Sequence, residues 1–260
     1  MTIESPNELS SEPGYHDVQW TSDRVARLWN YYGNSPAHAS AYFSMIFGAD
    51  ILRGATAFDV ALDGKRVVDF GCGPGHLLEH LLKQYRPQAA WGVEFSRQSA
   101  HRATERVRHF GPFQGVVAAE QLPVDLPDAC CDVLLLIEVV EHLDDQILDG
   151  TLAEAKRLVR PGGHVVVTTP NAENLDLSKT ACPDCGCVFH YWQHVRSWTA
   201  ESLRARVEAA GWLTEASTPV SWHAGATQSP MEKLRRIRES IRRRIRGPRG
   251  PHLIYVGRRP

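Results

Sequence analysis

Between residues 65 and 169, short apolar runs alternate with helical stretches. The runs are 66–70 (RVVDF), 90–94 (AWGVE), 114–118 (QGVVA), 131–137 (CDVLLLI) and 164–169 (HVVVTT). They are β-branched and nearly continuous, the pattern of strands buried on both faces. Between them 77–84, 98–109 and 152–160 read as helices, the last stopped by Pro161-Gly162-Gly163. Such alternation predicts a parallel sheet with helices on both faces. Residues 199–210 read as a further helix, with Thr199 as N-cap and Gly211 just past its end. Residues 212–220 and 253–257 read as the last two strands. Upstream, 1–20 is a Ser-, Glu- and Pro-rich lead-in expected to be flexible. From 21 to 64 the pattern turns helical and aromatic, with Val25, Leu28, Trp29, Tyr31, Tyr32, Tyr42, Phe43, Ile46 and Phe47. Two or three helices are expected there as a lid, with Trp29, Tyr31 and Tyr32 its foremost aromatic candidates.

The 260 residues are 43% hydrophobic and 23% charged, which excludes disorder throughout and allows a sizeable core. A net charge of −1 argues against a globally basic nucleic-acid binder. The one strong charge run is 231–250, nine Lys/Arg against two Glu, so +7 there and −8 elsewhere. Met231, Leu234, Ile237, Ile241 and Ile245 recur in it at helical spacing, which predicts a basic amphipathic helix over 230–247. Its partners would be RNA phosphates, an anionic membrane surface or a partner protein, or its apolar stripe would simply pack on the domain. No apolar run is long enough to span a bilayer, and the polar N-terminus lacks a signal-peptide segment, so a cytoplasmic location is expected.

Gly71, Gly73 and Gly75 follow the first strand and precede a helix, where glycines let the backbone turn tightly and approach a ligand. The spacing is G-x-G-x-G; the dinucleotide fingerprint would need a glycine at His76. Glu94, 25 residues after Asp69, ends the next strand, where a carboxylate can accept both hydroxyls of a ribose. At the fourth strand's end, Glu138 and Glu141 are three apart and His142 follows. On an opening helix they share a face, and two carboxylates with an imidazole suit a divalent ion.

Of six cysteines, Cys182, Cys185 and Cys187 lie within six residues. C-P-x-C-G followed by His190 and His194 is a zinc-knuckle pattern in a reducing compartment. Two ligand sets are open: Cys182, Cys185, Cys187 and His190, or Cys182, Cys185, His190 and His194. Either closes the coordination sphere, so the Zn2+ would be structural, within a metal-binding insertion at 172–197.

The stretch 66–171 resembles the class I S-adenosylmethionine-dependent methyltransferases. The likeness rests on VVDFGCGPG, GVEFS, AEQLP, CDVLLLIEVVEHL and LVRPGGHVVVTTPN, in that order. It implies a Rossmann-like seven-stranded α/β sheet with an antiparallel last strand, over a methyltransferase domain at 65–260. It also implies that Asp69, Gly71 and Gly73, with Cys72 and Gly75 in the same loop, line the methionine end of S-adenosyl-L-methionine. Glu94 would hold the ribose, Phe95, Glu120 and Gln121 would lie near adenine, and Glu138 would border the cofactor. E-x-x-E-H further resembles the ubiquinone-pathway O-methyltransferases and the small-RNA 3′-terminal 2′-O-methyltransferases. That resemblance assigns Glu138, Glu141, His142 and His194 to a catalytic divalent ion such as Mg2+, and so favours the zinc set with His190. The expected activity is O-methylation of a small-molecule hydroxyl, with His142 as proton acceptor if no ion binds. The alternatives are a metal-independent N- or C-methyltransferase of a small metabolite, an RNA 3′-end methyltransferase and, last, a non-catalytic binding protein.

Overall fold

The computed structural model describes residues 14–35, 38, 42–222 and 250–260. The basic helix expected over 230–247 therefore lies outside the described residues. The main sheet contains β2 (Arg66–Phe70), β3 (Ala89–Glu94), β4 (Phe113–Ala118), β5 (Cys131–Ile137), β6 (Val159–Pro170), β9 (Leu213–Val220) and β10 (His252–Arg258). Their order is β4-β3-β2-β5-β6-β10-β9. Strands β2 to β6 pair in parallel, and β10 runs antiparallel to β6 on one side and β9 on the other.

Strand alternation explains why the apolar runs are unbroken. Val68, Phe70, Leu134, Leu136, Val165 and Val167 enter one core with α5 (Asp145–Leu158) and α6 (Ala200–Ala209). Val67, Val133, Leu135 and Val166 enter the other, with α2 (Phe43–Ala57), α3 (His76–Gln84) and α4 (Arg97–Val107). Both faces are covered, so neither needs polar residues. The order reverses between β2 and β5, and open α/β sheets bind ligands in the crevice at the carboxyl ends of such strands. Helix α1 (Ser22–Asn34), capped by Thr21, leans on α4 from above, and α2 packs on α3. Among the described residues, no helix is long and apolar enough to cross a membrane.

Three local expectations change. The lead-in is not loose at its end: β1 (His16–Asp17) pairs parallel with β8 (Cys187–His190), and Trp20 packs edge-on against Phe189. A two-residue strand has no periodicity to read, and its partner lies about 170 residues away in sequence. The helix read over 152–160 starts earlier, at Asp145 behind the cap Asp144, and gives way to strand at Val159. Residues 138–143 form a turn, with Glu138 in the left-handed region at φ 52°. Between β6 and α6 lie a single 3-10 turn (Leu175–Ser178) and the hairpin β7 (Lys179–Ala181) to β8.

Candidate active site

At the end of β2 the chain makes its glycine turn. Gly71 has φ 81°, and a Cβ there would meet Val139 Cγ2 at 2.7 Å. Gly75 has φ 82° and opens α3, and its Cβ would stand 2.8 Å from the Ala103 backbone. Both positions need glycine on two counts. Glu94 is fixed by the same turn: Gly73 N–H donates to Oε2 at 2.8 Å and Ser96 N–H to Oε1 at 2.8 Å. Asp69 is 2% exposed and its Oδ2 has no hydrogen-bond partner. Burial, then the neighbouring Glu94 charge, pushes its carboxyl up to about 8. A buried carboxylate left like this calls for a cation.

Helix α1 covers this end. Ser96 Oγ donates to Asn30 Oδ1 at 3.2 Å, and Asn34 exchanges hydrogen bonds with Gln98. Tyr42 lies beside Gly73, its hydroxyl pushed up to about 12 by burial and then by Glu94. Cys72 turns away into the core, where burial holds its thiol well above the ordinary value; its side chain is loop packing. Phe95 is half-exposed beside Phe70. Glu120 is held in solvent by Arg97, at 2.8 Å from its Nε, and Gln121 is exposed.

On the other side of β5 a second cluster forms. One ligand atom each from Glu141, His142 and His194 lies within 4.8 Å of the others. Glu141 is 1% exposed; Thr169 Oγ1 donates to its Oε2 at 3.0 Å, while Oε1 has no partner. Burial, then the charge of Glu138, raises the Glu141 carboxyl well above its ordinary value. His142 Nδ1 faces the Gln193 carbonyl at 3.4 Å, which places its proton on Nδ1 and leaves Nε2 as a lone pair. Burial, then His194, lowers His142 to about 3, so the ring stays neutral but is a weak base. His194 Nδ1 bonds Glu173 Oε2 at 2.5 Å.

Glu173, Gln193 and Thr169 escaped the sequence reading. Burial alone would raise Glu173, but the His194 hydrogen bond and the two histidine charges hold it below its ordinary value. Gln193 is 3% exposed at φ 63°, a strained setting of the kind that clusters at functional sites. Its amide donates to the His142 carbonyl at 2.9 Å and accepts from Trp29 Nε1 at 3.0 Å. Trp29 in turn sits edge-on to His142, with centroids 5.1 Å apart, so the lid touches this cluster through one of its expected aromatics. Tyr32, also buried, lies tilted against Trp192 and bonds the Tyr191 carbonyl; Tyr31 is 61% exposed.

Two sequence assignments need correcting. Glu138 does not share a face with Glu141, because the segment is a turn and its left-handed residue swings the side chain aside. Its Oε2 lies 3.8 Å from His252 Nδ1, and its Oε1 is buried without a partner. His190 does not join the cysteines. Cys187 and His190 are three apart on β8 and so point to opposite faces. His190 stacks on His194 at 4.4 Å and faces Glu173 at 3.3 Å. Its Nδ1 accepts the N–H groups of Trp192 and His194, both at 3.2 Å, which places its proton on Nε2. With both histidines at the pocket, neither zinc set read from spacing survives.

A family model described as "Methyltransferase domain" matches residues 48–216. The chain belongs to this methyltransferase family. This methyltransferase is 35% identical over 170 residues to a ubiquinone biosynthesis O-methyltransferase of Mesorhizobium japonicum, covering 60% of this chain and 63% of that one. To the ubiquinone biosynthesis O-methyltransferase of Alkalilimnicola ehrlichii it is 28% identical over 161 residues, covering 60% of each. The chain spans between 38% and 63% of the length of the first curated relatives it matches. Among solved structures, a methyltransferase in complex with the Trm112 methyltransferase activator of Haloferax volcanii superposes with a TM-score of 0.62 at 18% identity. That match covers 90% of this chain and 97% of that one, and it supports the fold.

Proposed function

We propose that this methyltransferase uses S-adenosylmethionine to O-methylate a hydroxyl of a small-molecule acceptor held beside Glu141, His142 and His194, with a divalent cation in that cluster. The observation carrying this is the convergence of those three ligand atoms around the unpartnered Glu141 Oε1. One carboxylate and two imidazoles suit a borderline ion such as Fe2+ or Zn2+ better than the oxygen-seeking Mg2+. When bound, the ion would lower the acceptor hydroxyl's pKa and fix its position. The ubiquinone biosynthesis O-methyltransferase relatives support oxygen as the accepting atom.

The methyl passes from sulfonium to acceptor by in-line displacement, so alignment is the main demand. Glu94, held by two backbone N–H groups, takes the ribose hydroxyls. Asp69 faces the donor's positive end, where ionising it is favoured by the opposite charge. Gln193 aims His142 from behind, and Trp29 closes the pocket against water. Glu173 orients His194 through Nδ1 and leaves Nε2 as its free lone pair. A second reading rests on that bond: without an ion, Nε2 of His194 takes the acceptor proton. The weakly basic His142 is unsuited to that role.

The test is label transfer from methyl-tritiated donor to a panel of phenols and vicinal diols, with RNA bearing a free 3′ end alongside. The expected result is an alkali-stable ether on a small molecule, lost with Glu141→Gln and suppressed by EDTA. Suppression by Glu141→Gln but not EDTA selects the metal-free reading. Label on nitrogen or carbon, indifferent to both, overturns the proposal.

A further inference from the structure

With His190 and His194 at the pocket, three cysteines remain on the hairpin without a fourth ligand. Cys182 and Cys187 close the turn that joins β7 to β8: Cys182 N–H donates to the Cys187 carbonyl at 2.8 Å, and Gly186 N–H returns to the Cys182 carbonyl at 2.9 Å. The β7–β8 register pairs Ala181 with Val188, and one step further it sets Cys182 opposite Cys187. On the other edge of β8, β1 pairs in parallel with His16 in register with Cys187, and His16 N–H donates to the Gly186 carbonyl at 3.2 Å. Residues in register across neighbouring strands project to the same face. His16, Cys187 and Cys182 therefore form one row across the small sheet, with Cys185 in the turn beside them.

We propose that Cys182, Cys185, Cys187 and His16 form a thiolate-rich site for Zn2+, clamping the start of the N-terminal segment to the hairpin. The turn is already shaped for it. The Cys182 sulfur accepts the backbone N–H groups of Cys185 and Asp184 and touches the Cys185 thiol. Gly186 at φ 70° completes the bend. Neighbouring strands lie about 4.8 Å apart. Ligands bound at about 2.0–2.3 Å sit slightly closer together than that. No three of the four ligand atoms lie within 4.8 Å of one another in the structure, and His16 and Cys182 flank Cys187 from opposite edges, so closing the site takes side-chain rotations toward Cys187. His16 and Cys185 are exposed and Cys182 and Cys187 half-buried, which leaves all four free to turn. Three sulfurs and one nitrogen close a tetrahedron, so the site is structural. It joins the strand leading into α1 to the hairpin that ends at His190, and so ties lid to pocket. It depends on no feature of the methyl-transfer reading.

The test is a titration of the metal-free full-length chain with Co2+ followed by absorption. One equivalent is expected to give the intense thiolate-to-cobalt charge-transfer band and tetrahedral d–d bands, displaced by Zn2+. His16→Ala and Cys185→Ser should each weaken that binding by at least about tenfold, the lower end for losing even an outer-shell partner. His190→Gln should leave the band and its midpoint unchanged. Absence of a charge-transfer band in the unmodified chain overturns the proposal, whatever the variants do. So does a band that survives His16→Ala but falls with His190→Gln.

Discussion

The two halves of the pocket are built in opposite ways. The proposed donor half is one continuous stretch, from Asp69 to Ser96, and much of it is built by backbone: two N–H groups on Glu94 and two glycine turns. The acceptor half draws side chains from four places, at Trp29, Glu141–His142, Thr169–Glu173 and His190–His194, and holds them by hydrogen bonds and ring contacts. A backbone cradle tolerates change everywhere except where a Cβ or a charge intrudes. A cluster of side chains can be retuned one residue at a time. The contrast teaches where this methyltransferase keeps its common chemistry and where it keeps its specificity.

The comparison breaks most sharply at His194. His194→Ala is expected to cut turnover by roughly a thousandfold, the scale of losing proton-transfer or charge stabilisation, with donor affinity unchanged by calorimetry. A matching loss of donor affinity would mean that the two halves are not separable. Next comes Glu94→Ala. It removes the ribose acceptor and leaves the Gly73 N–H unpaired, so donor affinity should fall by about a hundredfold. An unchanged titration would remove the donor site as drawn. Gln193→Ala sharpens the comparison: turnover should fall by about tenfold, because the side-chain bonds to the His142 carbonyl and to Trp29 are lost, while the donor dissociation constant stays put.

The smallest expected effect is one of pH. Asp69 titrates near 8 when folded, against 3.8 for an ordinary carboxyl, so the folded protein holds its proton longer and loses stability as pH rises through that window. His76 and His142 are lowered, to about 4 and about 3, and act oppositely, losing stability as pH falls below 6.5. Between pH 6.5 and 8 these histidines are neutral in both states, and the raised carboxyls of Asp69 and Glu141 set the slope together. There the melting temperature without donor should drop on the order of 3 °C. Saturating S-adenosylmethionine should flatten that slope, since its positive charge favours the ionised carboxylate. A melting temperature that rises across the interval would rule out Asp69 as the buried proton holder.

The same contrast decides what could be read from the chain alone. The strands at 66–70 and 131–137 were legible to the residue, because burial on both faces leaves an unbroken apolar run. The glycine turn was legible because its spacing is local. Glu141 and His142 were legible from their spacing at the end of the fourth strand, and His194 joined them only through resemblance. Glu173 and Gln193 carry no local signal: one is an acid in a loop, the other an amide whose left-handed backbone nothing in its neighbours announces. Glu138 and His190 were misplaced for one reason, a helix or shared face assumed where the chain turns or alternates. His16 was invisible, because its pairing with β8 spans most of the chain.

The position of β10 has a consequence for how the protein is made. It lies between β6 and β9, yet β9 leaves the ribosome first. Until residues 252–258 emerge, β9 has no partner in the sheet, and Leu213–Val220 is an unpaired ribbon trailing α6. The nascent chain can complete β2 to β6, and with them the donor cradle, well before the far wall can close. Chaperone contact, and any stall late in synthesis, should therefore fall on that far wall and spare the cradle.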